Sequence, residues 1–197
     1  MQVPRRRQER GHPETGGMAE RGVAVGDRGS RGVGSEAVPV IRNGLLEEIV
    51  RQAEAGYPEE VCGMVVGRRD APETYRVRQV TNIANREPQE DPSGVRRDAR
   101  TAYKMDPREQ LRVLREADAE GWDVVAFYHS HPDHAAYFSR MDRARALAPD
   151  GEPIWPGVTY LVVSVMGGRA RGAAGCRWDA RRREFSEIRV DLPNVCP

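Results

Sequence analysis

The sequence predicts an α/β fold, a single domain in which helices flank a mixed central sheet. With 197 residues the chain has room for one domain of ordinary size, because two domains would each lie near the lower limit for an independent core. Segments with strand patterns alternate along the chain with segments whose apolar residues repeat at helical spacing. Hydrophobic residues make up 39% of the chain, which is enough for a buried core.

Residues 1–36 are predicted to be a disordered tail that precedes a folded domain over residues 37–197. The tail contains seven arginines, eight glycines and no aromatic residue, so it cannot bury enough apolar surface to order itself. Its seven arginines are nearly balanced by five acidic residues, which favours a solvated segment over a nucleic-acid-binding arm.

The first elements of the domain are predicted from caps and apolar spacing. We expect a short strand at residues 38–41 and then a helix that Asn43 caps and Gly56 ends. Residues 60–67 (EVCGMVVG) have the composition of a largely buried strand, and residues 74–83 alternate as a half-buried strand does. These two strands are predicted to form a hairpin, and a long loop over residues 84–100 follows them.

The second half begins with a helix that Asp106 caps, that has Pro107 at its first position and that stops at Gly121. Residues 122–128 (WDVVAFY) have the composition of a buried strand, and this strand leads directly into His129. Residues 139–148 show helical spacing again. Three more strands are predicted at residues 158–165, 172–178 and 184–190.

Composition excludes several classes of function. A net charge of +1 gives no overall field that would hold the protein on nucleic acid or an anionic membrane. No apolar run approaches the roughly 20 residues that cross a bilayer, and the Arg-rich start lacks the apolar stretch of a secretory signal, so we expect a cytoplasmic protein. The three cysteines are too few and too scattered for a disulfide framework or a zinc knuckle. Any metal must therefore be held mainly by other ligands.

Three of the four histidines lie within six residues (HSHPDH), as His129, His131 and His134. Residues two apart on a strand point to the same side, so His129 and His131 can both bind one ion. Neutral imidazole is a good zinc ligand, but a catalytic zinc needs a third protein ligand and an open position for water. The pair of histidines therefore requires a further ligand from elsewhere in the chain.

Asp142 is the best candidate for that ligand. It follows Ser139 by about one helical turn, and a serine cap would place both side chains at one end of a helix. A lone Ser-x-x-Asp is a common helix start, and a lone His-x-His is more often a pair of surface histidines. Their combination at this spacing favours a zinc site made by His129, His131 and Asp142.

The same pattern resembles the JAMM (MPN-plus) signature of zinc-dependent isopeptidases, which runs His-Ser/Thr-His, seven residues, then Ser-x-x-Asp. The family also has a catalytic glutamate three residues before a glycine at the start of a strand, and Glu60 stands in that position before Gly63. Its neighbour Glu59 is expected to be solvated. Many members have proline before the serine, where this chain has Phe138. The resemblance implies a single MPN domain with a cytidine-deaminase-like α/β fold.

The resemblance also implies a mechanism and a partner. Glu60 would act as general base and Ser139 would donate a hydrogen bond to the oxyanion, so that an amide bond is hydrolysed with the help of zinc. Similar families cleave after the diglycine tail of ubiquitin-like proteins. Because it has no ubiquitin-binding appendage, the chain most resembles stand-alone peptidases that act on ubiquitin-like sulfur-carrier proteins with a Gly-Gly C terminus, including those that release cysteine. Residues 84–100 and 149–157 are expected to form the walls of the substrate groove.

Several alternatives stay open at this point. A non-catalytic MPN scaffold is one, although such domains usually lack one or more metal ligands and this chain keeps the full set. Amidohydrolase barrels need about 250 residues, and the motif of zinc deaminases is absent. Cys62 is expected to be a buried small residue, and His134 and Asp133 to be surface residues. The oligomeric state and the choice between peptide and isopeptide bonds are not determined by the sequence.

Overall fold

The computed structural model describes residues 43–90 and 94–192. The predicted tail at residues 1–36 and the predicted strand at residues 38–41 lie outside this part of the chain, so both stay predictions. Within it there are three α-helices: α1 (Asn43–Gly56), α2 (Pro107–Ala119) and α3 (Arg140–Ala146). The strands of the same part are β1 (Cys62–Gly67), β2 (Arg76–Val80), β3 (Gln89–Glu90), β4 (Arg96–Arg97), β5 (Asp123–Pro132), β6 (Thr159–Met166), β7 (Arg169–Asp179) and β8 (Glu184–Val190).

Six of these strands form one mixed sheet in the order β2-β1-β5-β6-β7-β8. Strands β5 and β6 are parallel, and every other neighbouring pair in the sheet is antiparallel. The predicted mixed α/β architecture is therefore confirmed, including the antiparallel pairing of the first two strands. β5 lies inside the sheet, between the antiparallel strand β1 and the parallel strand β6.

The helices cover both faces of this sheet. Alternate residues of β6 show the two layers, because Tyr160 and Val162 belong to one core cluster and Leu161 and Val163 to the other. Helix α1 packs into the cluster of Leu161, whereas α2 and α3 contribute residues to the cluster of Tyr160. The central strands are consequently buried on both sides, which explains their nearly continuous apolar sequences.

The helix starts follow the local sequence closely. The Asp106 side chain accepts hydrogen bonds from the backbone N–H groups of Arg108 (2.8 Å) and Glu109 (3.4 Å), and Pro107 occupies the first helical position as predicted. Gly121 follows the helix with a φ of +67°, a conformation that costs glycine little. The second predicted helix is thus confirmed at both of its ends.

Residues 84–100 differ from the prediction of a loop without secondary structure. They contain β3 and β4, which pair as a separate two-stranded sheet in the register Gln89↔Arg97 and Glu90↔Arg96. Such short, polar strands carry no apolar alternation, so the sequence pattern could not reveal them. Among residues 43–90 and 94–192, no helix is long and apolar enough to cross a bilayer.

Candidate active site

Two buried histidines lie near the carboxyl end of β5. His129 and His131 are two residues apart on this strand, and their Nε2 atoms are 3.2 Å from each other. Oδ2 of Asp142 is 3.5 Å from Nε2 of His129. One ligand atom from each of the three residues lies within 4.8 Å of the other two, and all three side chains are buried. The structure thus brings together the three residues that the sequence singled out as a metal site.

The first turn of helix α3 places Asp142 beside His129. Ser139 Oγ accepts a hydrogen bond from the backbone N–H of Asp142 (3.1 Å), and the Asp142 carboxylate accepts one from the backbone N–H of Ser139 (2.8 Å). This reciprocal capping box holds the carboxylate at the helix end, with Oδ2 also facing His129. The same four residues therefore start the helix and place Asp142 beside the histidines.

The donor set fits a tetrahedral zinc ion. Two ligands bound at 2.0–2.1 Å to a tetrahedral ion are about 3.3–3.4 Å apart, close to the observed distances of 3.2 and 3.5 Å from Nε2 of His129. The Nδ1 atom of His131 is 3.0 Å from the carbonyl oxygen of Ala135. With the proton on Nδ1, that contact is a hydrogen bond and Nε2 of His131 keeps a lone pair for a metal.

The charges of the three residues are set by their burial and by one another. Burial lowers the pKa of His131 to about 4, with a further contribution from His129, so this ring is neutral near pH 7. Burial disfavours charge on His129 as well, but the adjacent Asp142 carboxylate raises the pKa of this histidine. Burial alone would raise the pKa of Asp142, but His129 and the hydrogen bonds from Ser139 hold it well below its usual range. The site therefore carries a buried carboxylate near neutral pH.

Glu60 lies just before β1 and is only 7% exposed. Its backbone is held from three sides: the Glu60 N–H donates to the Ala99 carbonyl (2.7 Å), the side chain of Asn82 donates to the Glu60 carbonyl (2.8 Å), and the next residue, Val61, donates to Ser130 Oγ (2.9 Å). Ser130 stands between the two histidines on β5, so its hydroxyl fixes Glu60 relative to them. Burial raises the pKa of Glu60 to about 7.

Tyr103 and Arg145 support the site without any signature in the sequence. The Tyr103 ring stacks on the His129 ring with 4.5 Å between centroids and an interplanar angle of 28°. Arg145, on α3, donates hydrogen bonds to the Tyr103 carbonyl (2.7 Å) and to the side chain of Gln89 (3.0 Å). Neither residue could be found from the sequence, because Arg145 contacts residues 42 and 56 positions away and Tyr103 stacks on a histidine of another segment.

Other residues that drew attention in the sequence lie outside the cluster. Glu59 is exposed, and its carboxylate accepts a hydrogen bond from Asn85 (2.7 Å). Cys62 is fully buried, its thiol donates to the Val80 carbonyl (3.4 Å), and burial raises its pKa. Asp133 accepts hydrogen bonds from Tyr57 and from the Gly167 N–H, both at 2.9 Å. These contacts give each of the three side chains a structural role.

A cavity of about 470 Å³ opens onto the cluster. It is lined by Glu60, Arg97, Thr101, Ala102, Tyr103, His131, His134, Tyr137, Ser139, Arg140, Met141, Asp142 and Arg145. Arg97 comes from the segment at residues 84–100. Trp155, from the segment at residues 149–157, borders a neighbouring cavity and packs edge-on against Phe127 with 5.4 Å between ring centroids. Residues 84–100 thus contribute to the cavity beside the cluster, whereas residues 149–157 do not line it.

Comparisons with known proteins agree with this geometry. The family described as prokaryotic homologs of the JAB domain matches residues 42–180. A desampylase from Haloferax volcanii is 35% identical over 123 residues, which is 62% of this chain and 75% of the relative. A CysO-cysteine peptidase from Mycobacterium tuberculosis is 34% identical over 131 residues, which is 66% of this chain and 76% of the relative.

The structure is also similar to a protein from Desulfitobacterium hafniense that was solved in solution. That match has a TM-score of 0.51 and 26% sequence identity, and it covers 75% of this chain and 88% of the other. The family match includes His129, His131, Asp142 and Glu60. The fold and the sequence agree, and the chain belongs to the family of prokaryotic homologs of the JAB domain.

Proposed function

We propose that this protein is a zinc-dependent peptidase that hydrolyses the bond after the C-terminal diglycine of a ubiquitin-like sulfur-carrier protein. The observation that carries the proposal is the buried convergence of His129, His131 and Asp142, with the separate buried carboxylate of Glu60 on the same cavity. The names of the relatives, which include a CysO-cysteine peptidase, desampylases and a probable TtuB-protein conjugate cleaving protease from Thermus thermophilus, support the substrate class.

In this proposal His129, His131 and Asp142 hold one zinc ion. When bound, zinc supplies a Lewis acid that lowers the pKa of a water molecule and polarises the scissile carbonyl. Glu60 takes a proton from the attacking water and delivers it to the departing amine nitrogen. A carboxyl group with a pKa near the working pH suits both halves of that transfer, and burial brings the pKa of Glu60 to about 7.

Ser139 has the hydrogen-bonding capacity for the remaining role. Its Oγ accepts the backbone N–H of Asp142 through a lone pair, and its hydroxyl proton, which also interacts with the Asp142 carboxylate, can rotate to donate into the cavity that Ser139 lines. In the proposed reaction this proton is donated to the carbonyl oxygen as negative charge develops on it.

Replacement of Ser139 by alanine is expected to lower kcat by about 10²–10³-fold, the usual cost of removing one oxyanion donor. The same change removes the N-cap of α3 and so lowers the free energy of unfolding by about 0.5–2 kcal/mol. Ser139→Thr keeps both the hydroxyl and the cap and serves as the control. Equal turnover by the alanine variant and the wild type, measured at matched folded fraction, would contradict the oxyanion role.

Zinc affinity is expected to fall as the pH is lowered through the pKa of His129. Asp142 stays ionised because its pKa is depressed, and His131 stays neutral above about pH 4, so His129 alone holds a competing proton. Below the raised pKa of His129 the affinity should decrease by about tenfold for each pH unit, and above it the affinity should level off. Competition with a chromogenic chelator, corrected for the chelator's own protonation, measures this profile. Constant affinity between pH 8 and pH 5.5 would contradict it.

The direct test of function is incubation of the zinc-loaded protein with ubiquitin-like carriers that extend beyond their Gly-Gly end. Released groups are read by mass spectrometry, and we expect cleavage after the second glycine. A non-catalytic scaffold is the second candidate function, and it predicts protein without zinc and without turnover. Zinc content measured on the same sample separates the two.

We further infer a cytoplasmic location, which two unpaired buried thiols, Cys62 and Cys176, support.

A further inference from the structure

The three arginines of helix α3 have different surroundings. Arg143 donates a hydrogen bond to the Phe185 carbonyl (3.3 Å), and Arg145 donates to Tyr103 and Gln89. Arg140 is exposed, and within residues 43–90 and 94–192 its side chain makes no hydrogen bond or ion pair. Two of the arginines are therefore part of the fold, and Arg140 is left free to bind something else.

Arg140 also lies at the proposed reaction centre. It immediately follows Ser139, and it lines the same cavity as Glu60, His131 and Asp142. Among the described residues, the acidic side chains that line this cavity are Glu60 and Asp142, and both are buried and committed to the proposed chemistry. Arg140 consequently has no acid to pair with in its own cavity, and an anionic group on the substrate would meet an unneutralised guanidinium.

We propose that Arg140 binds the α-carboxylate of the residue that leaves, and that this contact makes the enzyme prefer carriers extended by one amino acid over isopeptide conjugates. This inference rests on the proposed function and specifies its substrate class. In a carrier extended by one residue, the free carboxylate is two bonds from the scissile nitrogen, close enough to meet a side chain next to Ser139. In a lysine isopeptide the scissile nitrogen is followed by a chain of methylene groups, with no carboxylate nearby.

The chemistry of release is an ordinary hydrolysis. The oxygen of water bonds to the carbonyl carbon of the second glycine, and the C–N bond to the leaving residue breaks. Glu60 passes one proton of the water to the leaving nitrogen, and the second proton is released as the new carboxyl group ionises and ends on the free amine. The products are the carrier with a free glycine carboxylate and a single amino acid that keeps its own α-carboxylate on Arg140 until it dissociates.

The test compares two forms of one probe, a ubiquitin-like carrier ending Gly-Gly-Ala as the free acid and as the C-terminal amide. We expect the zinc-loaded wild type to prefer the acid by about 10- to 100-fold in kcat/KM, as a charge-assisted hydrogen bond allows. Arg140→Gln should bring that ratio close to 1, and Arg140→Lys should restore part of it. Arg115→Gln, at an exposed arginine of helix α2 that does not line the cavity, is the matched control and should keep the wild-type ratio.

A binding arm separates failure of this inference from failure of the proposed function. Calorimetry on Glu60→Gln, with and without Arg140→Gln, measures binding of the same acid and amide probes. Equal binding of acid and amide to Glu60→Gln, together with equal turnover of the two by the wild type, would overturn the role of Arg140. If Arg140→Gln weakens both probes equally, its partner is an acidic side chain of the carrier, which also overturns the proposal. Preferential binding of the acid without any cleavage would support the carboxylate site and refute the peptidase function.

Discussion

Glu60→Gln is expected to abolish hydrolysis and leave zinc bound. Glutamine matches glutamate in size and can keep the position that the backbone contacts of Ala99 and Asn82 define, but its amide cannot accept a proton from water. Loss of a general base usually costs about 10²–10⁴-fold in rate. Turnover of an extended carrier and zinc per chain, measured on the same sample, check the two halves of this prediction.

The neighbouring acid provides the matched control. Glu59→Gln removes the same charge one residue away, at an exposed side chain that contacts Asn85, and it should keep full activity. If both variants lose activity equally, or if Glu60→Gln loses its zinc, the assignment of Glu60 as a base that does not bind the metal is wrong.

Loss of activity in Glu60→Gln should not come from a less stable fold. Because burial raises the pKa of Glu60 from its ordinary value of 4.5 to about 7, the metal-free fold loses stability as the pH rises between these values and bears the full cost of the ionised carboxylate above them. A neutral glutamine removes this unfavourable charge, so we expect the metal-free variant at pH 8 to unfold at no lower temperature than the wild type. A thermal melt recorded without zinc therefore distinguishes loss of the base from loss of the fold.

The elements that sequence analysis placed correctly are those with a local cause. Asp106 and Ser139 cap their helices through contacts within three residues, and the buried strands β1, β5 and β6 have apolar sequences because helices cover both faces of the sheet. The convergence of the three predicted ligands also has a local cause. Two histidines on one strand and an aspartate one turn after a capping serine are short-range patterns, so their convergence could be expected once the two elements were adjacent.

The residues that sequence analysis missed act over long separations. Asn82 shows this clearly, since its side chain donates to the carbonyls of Glu60 and Ala102 and accepts from the N–H groups of Ala84 and Lys104. Asn82 thereby connects both ends of the segment at residues 84–104 to Glu60, the residue proposed as the base. A single asparagine at the end of a strand has no pattern that reveals such a network, because each partner is set by the tertiary fold.

Burial of the charged ligand cluster costs free energy, and a bound metal ion would reduce that cost. His129 and Asp142 are almost fully buried, and burial of an ion pair is favourable only when its geometry and hydrogen bonds are good. Here Asp142 has hydrogen bonds from Ser139, but the Nε2 atoms of His129 and His131 face each other at 3.2 Å. Two ring nitrogens at this distance share at most one proton, whereas a cation between them would satisfy both lone pairs. Metal binding should therefore stabilise the fold.

His131→Ala is expected to remove zinc and hydrolysis together, in contrast to Glu60→Gln. Burial keeps His131 neutral near pH 7, so the substitution removes a lone pair and not a charge. Loss of an outer-shell partner already costs about 10–100-fold in metal affinity, and loss of a ligand should cost more than that. The wild type, in zinc at 100 times its Kd, should gain about 2.7 kcal/mol of stability, and the variant should gain almost none at the same concentration.

His134→Ala is the control for this prediction, because it removes an exposed histidine from the same HSHPDH segment and should leave the zinc-dependent rise in Tm intact. Both substitutions remove an imidazole, but of the two histidines only His131 has its Nε2 atom 3.2 Å from another ligand nitrogen. A rise in Tm that survives in His131→Ala would mean that zinc binds elsewhere, and the mechanism built on this cluster would fail. A rise that disappears in both variants would place His134 among the ligands.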